Sequence, residues 1–125
     1  MLTETGKVCG KFGYGQQMHD KWTAMLLEGK ERQRHTKPMK FNLSERRCWG
    51  ARFFRMAEEK CGFDLAAAEG AYMQIHDRMW DIHPLTQGEI SGSVITMQMR
   101  EKTADLLREC RELDLEAAEC IGKVV

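Results

Sequence analysis

Ser93-Val-Ile-Thr-Met-Gln-Met-Arg-Glu-Lys-Thr103-Ala-Asp-Leu-Leu-Arg-Glu-Cys110-Arg-Glu-Leu-Asp-Leu-Glu-Ala117-Ala-Glu-Cys120-Ile-Gly-Lys-Val-Val125 decides the fold. The stretch has no proline, and no glycine before Gly122. Met99, Thr103, Leu106, Cys110, Leu113, Ala117, Cys120 and Val124 recur at alternating steps of four and three, which puts them on one side of a helix. Ser91 or Ser93 is the expected cap, because a serine oxygen satisfies an orphan amide of the first turn. A helix of about 30 residues is about 45 Å long, too long to be buried alone. Cys110, Ala117 and Cys120 are small and make a weak zipper. Cover from within the chain is therefore expected ahead of a homodimer. Leu107, Leu115 and Ile121 flank the main stripe; the alternative to one continuous helix is a break at Leu113-Asp114, with Asp114 capping a short final helix.

Upstream, Leu65, Ala68, Tyr72, Ile75, Met79 and Ile82 form a second stripe of the same spacing. Asp64 is placed to cap this helix and Pro84 to stop it. The short connection Leu85–Gly92 makes the two striped helices an antiparallel pair. A helix from Asn42 or Ser44 to Cys61-Gly62 carries Trp49, Phe53, Met56 and Ala57 on one face. Another runs from about Gln16 to Glu28, with Met18, Trp22, Met25 and Leu26 together and Gly29 as its stop. The Trp22, Trp49 and Phe53 faces are expected to pack on the antiparallel pair. The fold class is thus all-α: one domain over residues 1–125, a small bundle of about four helices. A flexible glycine-rich arm spans residues 1–15, and a basic loop spans residues 30–42.

A length of 125 residues suits one modest core. No apolar run approaches the roughly 20 residues that span a bilayer, and the first residues lack a basic-then-apolar leader. We expect a cytoplasmic protein that does not enter a membrane. The five cysteines are odd in number and widely spaced, and Cys48, Cys61, Cys110 and Cys120, which fall in expected helices, read as small buried hydrophobes in a reducing compartment.

Several chemistries find no support. Gly6-Lys-Val-Cys-Gly10-Lys11-Phe12 is one residue short of a phosphate loop, and has Phe12 where a hydroxyl must hold magnesium. His76 and His83 stand about 10.5 Å apart along a helix, too far to share a metal, and no Cys-x-x-Cys pair or His-x-x-x-His pair occurs. The helix beginning at Asp64 has an acidic first turn, which repels phosphate where a recognition helix would need cations. No cysteine has a hydrolase signature around it. We expect no catalytic residues, no metal and no cofactor.

The informative feature is charge. Net charge is zero, yet residues 1–57 hold 12 Lys/Arg against 5 Asp/Glu, and residues 58–125 hold 7 against 14. The cations concentrate at Lys30, Arg32, Arg34, Lys37, Lys40, Arg46, Arg47, Arg52 and Arg55. A basic segment of this kind meets nucleic acid or an acidic surface, or folds against the acidic half of its own chain. The expected function is a non-catalytic regulatory protein contacting nucleic acid or a nucleoprotein complex through these residues. The competing expectation is a protein–protein adaptor or inhibitor, whose acidic helical half blocks a basic, nucleic-acid-binding partner. Either suits a monomer or a homodimer.

Overall fold

The computed structural model describes the backbone of residues 8–9, 12–13, 16–28, 33–86 and 96–124, with side chains for 16–27, 40–85 and 96–124. Four helices are present among the described residues: α1 (Gln16–Glu28), α2 (Gln33–Cys61), α3 (Ala66–Thr86) and α4 (Met97–Gly122). The protein is a small all-α bundle. Two short strands, β1 (Val8–Cys9) and β2 (Phe12–Gly13), pair antiparallel ahead of α1. The rest of the expected arm, residues Lys30 and Arg32, and the serines considered as caps lie outside the described residues. Among the described residues, no helix is long and apolar enough to cross a membrane.

Packing runs in the order α2, α3, α4, α1. The pair α3–α4 forms the spine, and every stripe residue from Leu65 to Ile82 is buried. Helix α1 keeps the expected bounds. It is tied to α4 at both ends: Arg100 Nη1 donates to the Leu26 carbonyl at 3.3 Å, and Arg111 Nη2 donates to Gln16 Oε1 at 2.8 Å. Gly62 ends α2 with a φ of 72° and returns its N–H to the Glu58 carbonyl at 3.1 Å. A left-handed residue there satisfies an orphan carbonyl, and glycine adopts it without a Cβ penalty.

Five local expectations are corrected. Helix α2 begins at Gln33, so the segment expected as a basic loop is helical from there on. Burial of Lys40, Leu43 and Ser44 supplies the tertiary packing that decides helix formation more than composition does. Helix α3 starts at Ala66, two residues past Asp64, and continues through Pro84 to Thr86. Proline there removes one late ladder bond, while buried Ile82 keeps the preceding turn in place. Helix α4 starts later, where Thr96 Oγ1 accepts from the Met99 amide at 3.2 Å. It runs unbroken through Asp114, which is buried rather than capping anything. The buried face of α4 is Thr103, Ala104, Leu107, Cys110, Asp114 and Ala117, turned slightly from the expected stripe, so Leu106 and Leu113 fall at its margin.

The fifth correction concerns α2. Its core face is Lys40, Leu43, Ser44, Ala51 and Phe54, with the half-buried Arg47 among them. The bulky apolar residues expected to pack inward lie outside: Trp49 is 60% exposed, Phe53 64% and Met56 49%.

Candidate functional site

Two features of α2 carry chemistry, one inside the bundle and one outside. Inside, Asp114 of α4 is 3% exposed and joins three helices. Arg47 donates to it through Nε at 2.9 Å and Nη2 at 3.0 Å. His19 of α1 donates through Nε2 at 2.7 Å. The fork matches a carboxylate, which strengthens both bonds. Burial pushes the Asp114 carboxyl up, but the hydrogen bonds from His19 and Arg47 together hold it below the usual carboxylate range. The ionised group only accepts, so the His19 Nε2 is the donor, while Nδ1 is buried with no partner among the described residues.

The surroundings fix this junction. The Arg47 guanidinium stacks 4.9 Å from the centre of the Tyr72 ring. A Cβ on Gly50 would meet that ring at 2.7 Å, so α2 and α3 approach where only glycine fits. Burial lifts the Tyr72 hydroxyl above its ordinary value. Burial, followed by the Asp114 charge, pushes the Cys110 thiol up to about 12. That thiol is no nucleophile at neutral pH. Asp114 and His19 are buried and Arg47 is 11% exposed, so the junction ties α1, α2 and α4 together inside the bundle.

A second polar contact joins α2 to the end of α3. Lys40 Nζ donates to His83 Nδ1 at 3.3 Å, beside a ring cluster of Phe41, Trp80 and His83. Burial, and then the Lys40 charge, hold His83 below its ordinary value. Trp80 donates from Nε1 to His76 Nε2 at 3.2 Å, and His76 turns Nδ1 to Asp77. Among the described residues, no group of three or more His, Cys, Asp or Glu is placed to hold a metal ion.

The basic residues therefore divide. Lys40 and Arg47, expected at a binding surface, point into the bundle, because each finds an acceptor on the acidic half of the chain. Arg46, Arg52 and Arg55 are exposed. Arg55 sits 3.5 Å from Glu59 in an open pair, a contact of only a few tenths of a kcal/mol. Arg34 and Lys37 fall on the first turns of α2, with their side chains outside the described residues. They precede Arg52 and Arg55 by 18 residues, which is five turns at 3.6 residues per turn. The four positions thus share one edge of α2.

Beside this edge runs a ridge of Asn42, Arg46, Trp49, Phe53, Met56 and Lys60, at steps of four and three; of these, sequence reasoning placed Trp49, Phe53 and Met56 in the core. The Arg52 guanidinium lies over the Trp49 ring, 4.9 Å from its centre. Two hollows adjoin the ridge. One, of about 360 Å³, is apolar and bounded by Phe53, Met56, Phe63, Leu65, Ile121 and Val124. The other, of about 160 Å³, lies between α1 and α2 and is lined by Met18, Trp22, Asn42, Leu43 and Arg46. Glu101, Asp105, Glu109, Glu112, Glu116 and Glu119 form an exposed acidic stripe along α4, in which Asp105 pairs with Arg108, Glu109 with Arg78 and Glu112 with Arg111.

No protein-family model matches this sequence, and no curated protein or solved structure is similar enough to it to count as a match.

Proposed function

We propose that this chain is a small non-catalytic binding protein that contacts nucleic acid, free or within a nucleoprotein complex, along the basic edge of α2. The observation behind this reading is the five-turn repeat of Arg34 and Lys37 onto Arg52 and Arg55, carried on one continuous helix. Basic positions about 27 Å apart along one helix match phosphates well separated along a duplex or a strand. Such contacts neutralise phosphate without reading bases, so the binding is sequence-independent and weakens with salt.

The test is a titration of labelled duplex DNA, single-stranded DNA and RNA at low and moderate salt. Wild type is expected to bind at least one of them at low salt. Lys37→Glu/Arg55→Glu should weaken binding about tenfold or more, and lower the salt slope by about two, with unchanged helicity by circular dichroism. Absence of binding to all three at low salt refutes the proposal.

The acidic stripe on α4 supports a second reading, an adaptor or inhibitor that occupies a basic protein. Its test is competition: the chain should release nucleic acid from a basic partner, and Glu112→Lys/Glu116→Lys should lose that effect.

A further inference from the structure

We infer that the exposed ridge of α2 is covered by the same ridge of a second copy of this chain, in an antiparallel pair centred on Trp49. The inference deepens the proposed function, because it states how two basic edges would be combined. Trp49, Phe53 and Met56 expose on the order of 100 Å² of side chain each. That is an adequate apolar centre for an interface burying roughly 800 Å² per partner. Charge selects the occupant. Glu45 and Arg52 lie on one flank of the ridge, seven residues apart. Neither has an ion pair among the described residues, and Arg52 is held over its own Trp49. Arg46 and Phe53 lie on the other flank, also seven residues apart. An antiparallel copy centred on Trp49 sets Glu45 against the second copy's Arg52, and Arg46 against its Phe53, with each contact made twice. Such a surface is self-complementary, as an isologous interface requires.

Shape agrees with charge. On the Arg46 flank lies the hollow between α1 and α2, about 160 Å³ in volume, suited to one aromatic side chain. Its lining of Met18, Trp22 and Leu43 is apolar at the floor, and Arg46 stands at the rim. The second copy's Phe53 reaches this hollow in the same register and places its ring beside the Arg46 guanidinium, a cation–π contact. A two-fold axis perpendicular to two antiparallel helices carries the same flank of both to the same side. The positions of Arg34, Lys37 and Arg55 from both copies therefore gather on one face of the dimer.

Sedimentation equilibrium on the whole chain, at concentrations from micromolar to near millimolar, tests the pairing. Wild type should dimerise, and Phe53→Glu should remain monomeric with unchanged helicity. Arg52→Glu and Glu45→Arg should each raise the dimer dissociation constant about tenfold, because each places like charges across the interface twice. The double exchange Glu45→Arg/Arg52→Glu should return it to within about threefold of wild type, since the swap restores both pairs. A wild type that stays monomeric throughout overturns the inference, and so does a double exchange as weak as its parents. Lys37→Glu/Arg55→Glu lies outside the seam and should dimerise normally. A dimer that binds no nucleic acid would keep the pairing and remove the proposed function. A monomer that binds it would do the reverse.

Discussion

Replacing Asp114 by Asn tests the account of the core. The amide keeps the size of the side chain and removes its charge. Arg47 is 11% exposed and His19 1%, so Arg47 is left as a nearly buried cation with no counter-charge. Breaking a buried pair by removing one partner costs about 3–5 kcal/mol, a large part of the roughly 5–15 kcal/mol that holds a domain folded. At about 4 °C per kcal/mol for a chain of this size, Tm should fall by roughly 12–20 °C. The assay is urea and thermal unfolding followed by circular dichroism, with m-values compared to confirm that the same surface unfolds. Removing all three polar partners is a different perturbation. His19→Leu/Arg47→Met/Asp114→Leu leaves no uncompensated charge and should return to within about 1–2 kcal/mol of wild type. The pH dependence follows from the same group. The folded carboxyl sits below its unfolded value of about 3.9, so the unfolded chain holds that proton more tightly. Its stabilisation is full at neutral pH and is lost as pH falls below about 4 toward the lowered folded value. Asp114→Asn should therefore flatten the acid limb of the stability curve. A shift in Tm of less than about 3 °C, with an unchanged acid limb, would refute the reasoning.

Three further outcomes are expected. Gly50→Ala should destabilise by about 1–3 kcal/mol, because the new Cβ meets the buried Tyr72 ring, whereas Gly70→Ala, with open space around it, should stabilise by about 0.5–1 kcal/mol; chemical denaturation separates the two signs. Lys40→Met should raise the titration midpoint of His83 seen by ring-proton NMR, recovering only part of the shift because burial is the larger cause. An aromatic disulfide reagent should label exposed Cys61 within minutes in native buffer and leave Cys110 unlabelled until the protein unfolds.

Much of the architecture was legible where apolar periodicity and burial coincide. The bounds of α1 follow from its Met18–Leu26 face and flanking glycines. The α3 stripe is bulky and uninterrupted, so every one of its positions could be assigned to the core. Reading failed where a polar residue holds a core position. Asp114 breaks the apolar pattern of α4 and looks like a cap, because its partners Arg47 and His19 lie 67 and 95 residues away. No local window contains them. The exposed half of the candidate surface, Arg46, Arg52 and Arg55, was legible as a charge run. The inward turn of Lys40 and Arg47 was not, since it depends on His83 and Asp114.

Helix α2 shows why these failures belong together. Two faces competed for the core. The bulky face, Trp49, Phe53 and Met56, offers more apolar area, and on transfer free energy alone it should win. The face turned inward carries Leu43, Ala51 and Phe54 together with Lys40, Ser44, Arg47 and Gly50, and specific fits favour it. Gly50 admits the Tyr72 ring, and Arg47 closes the fork on a carboxylate that would otherwise be buried unpaired. A wrong rotation of α2 would leave Asp114 with His19 as its only partner and drive Trp49 against the position of Tyr72. The buried ion pair thus acts less as a source of net stability than as the selector of one helix rotation. The aromatic ridge faces outward as a consequence of that choice. The same contacts that order the interior therefore create the surface on which the proposed dimer depends.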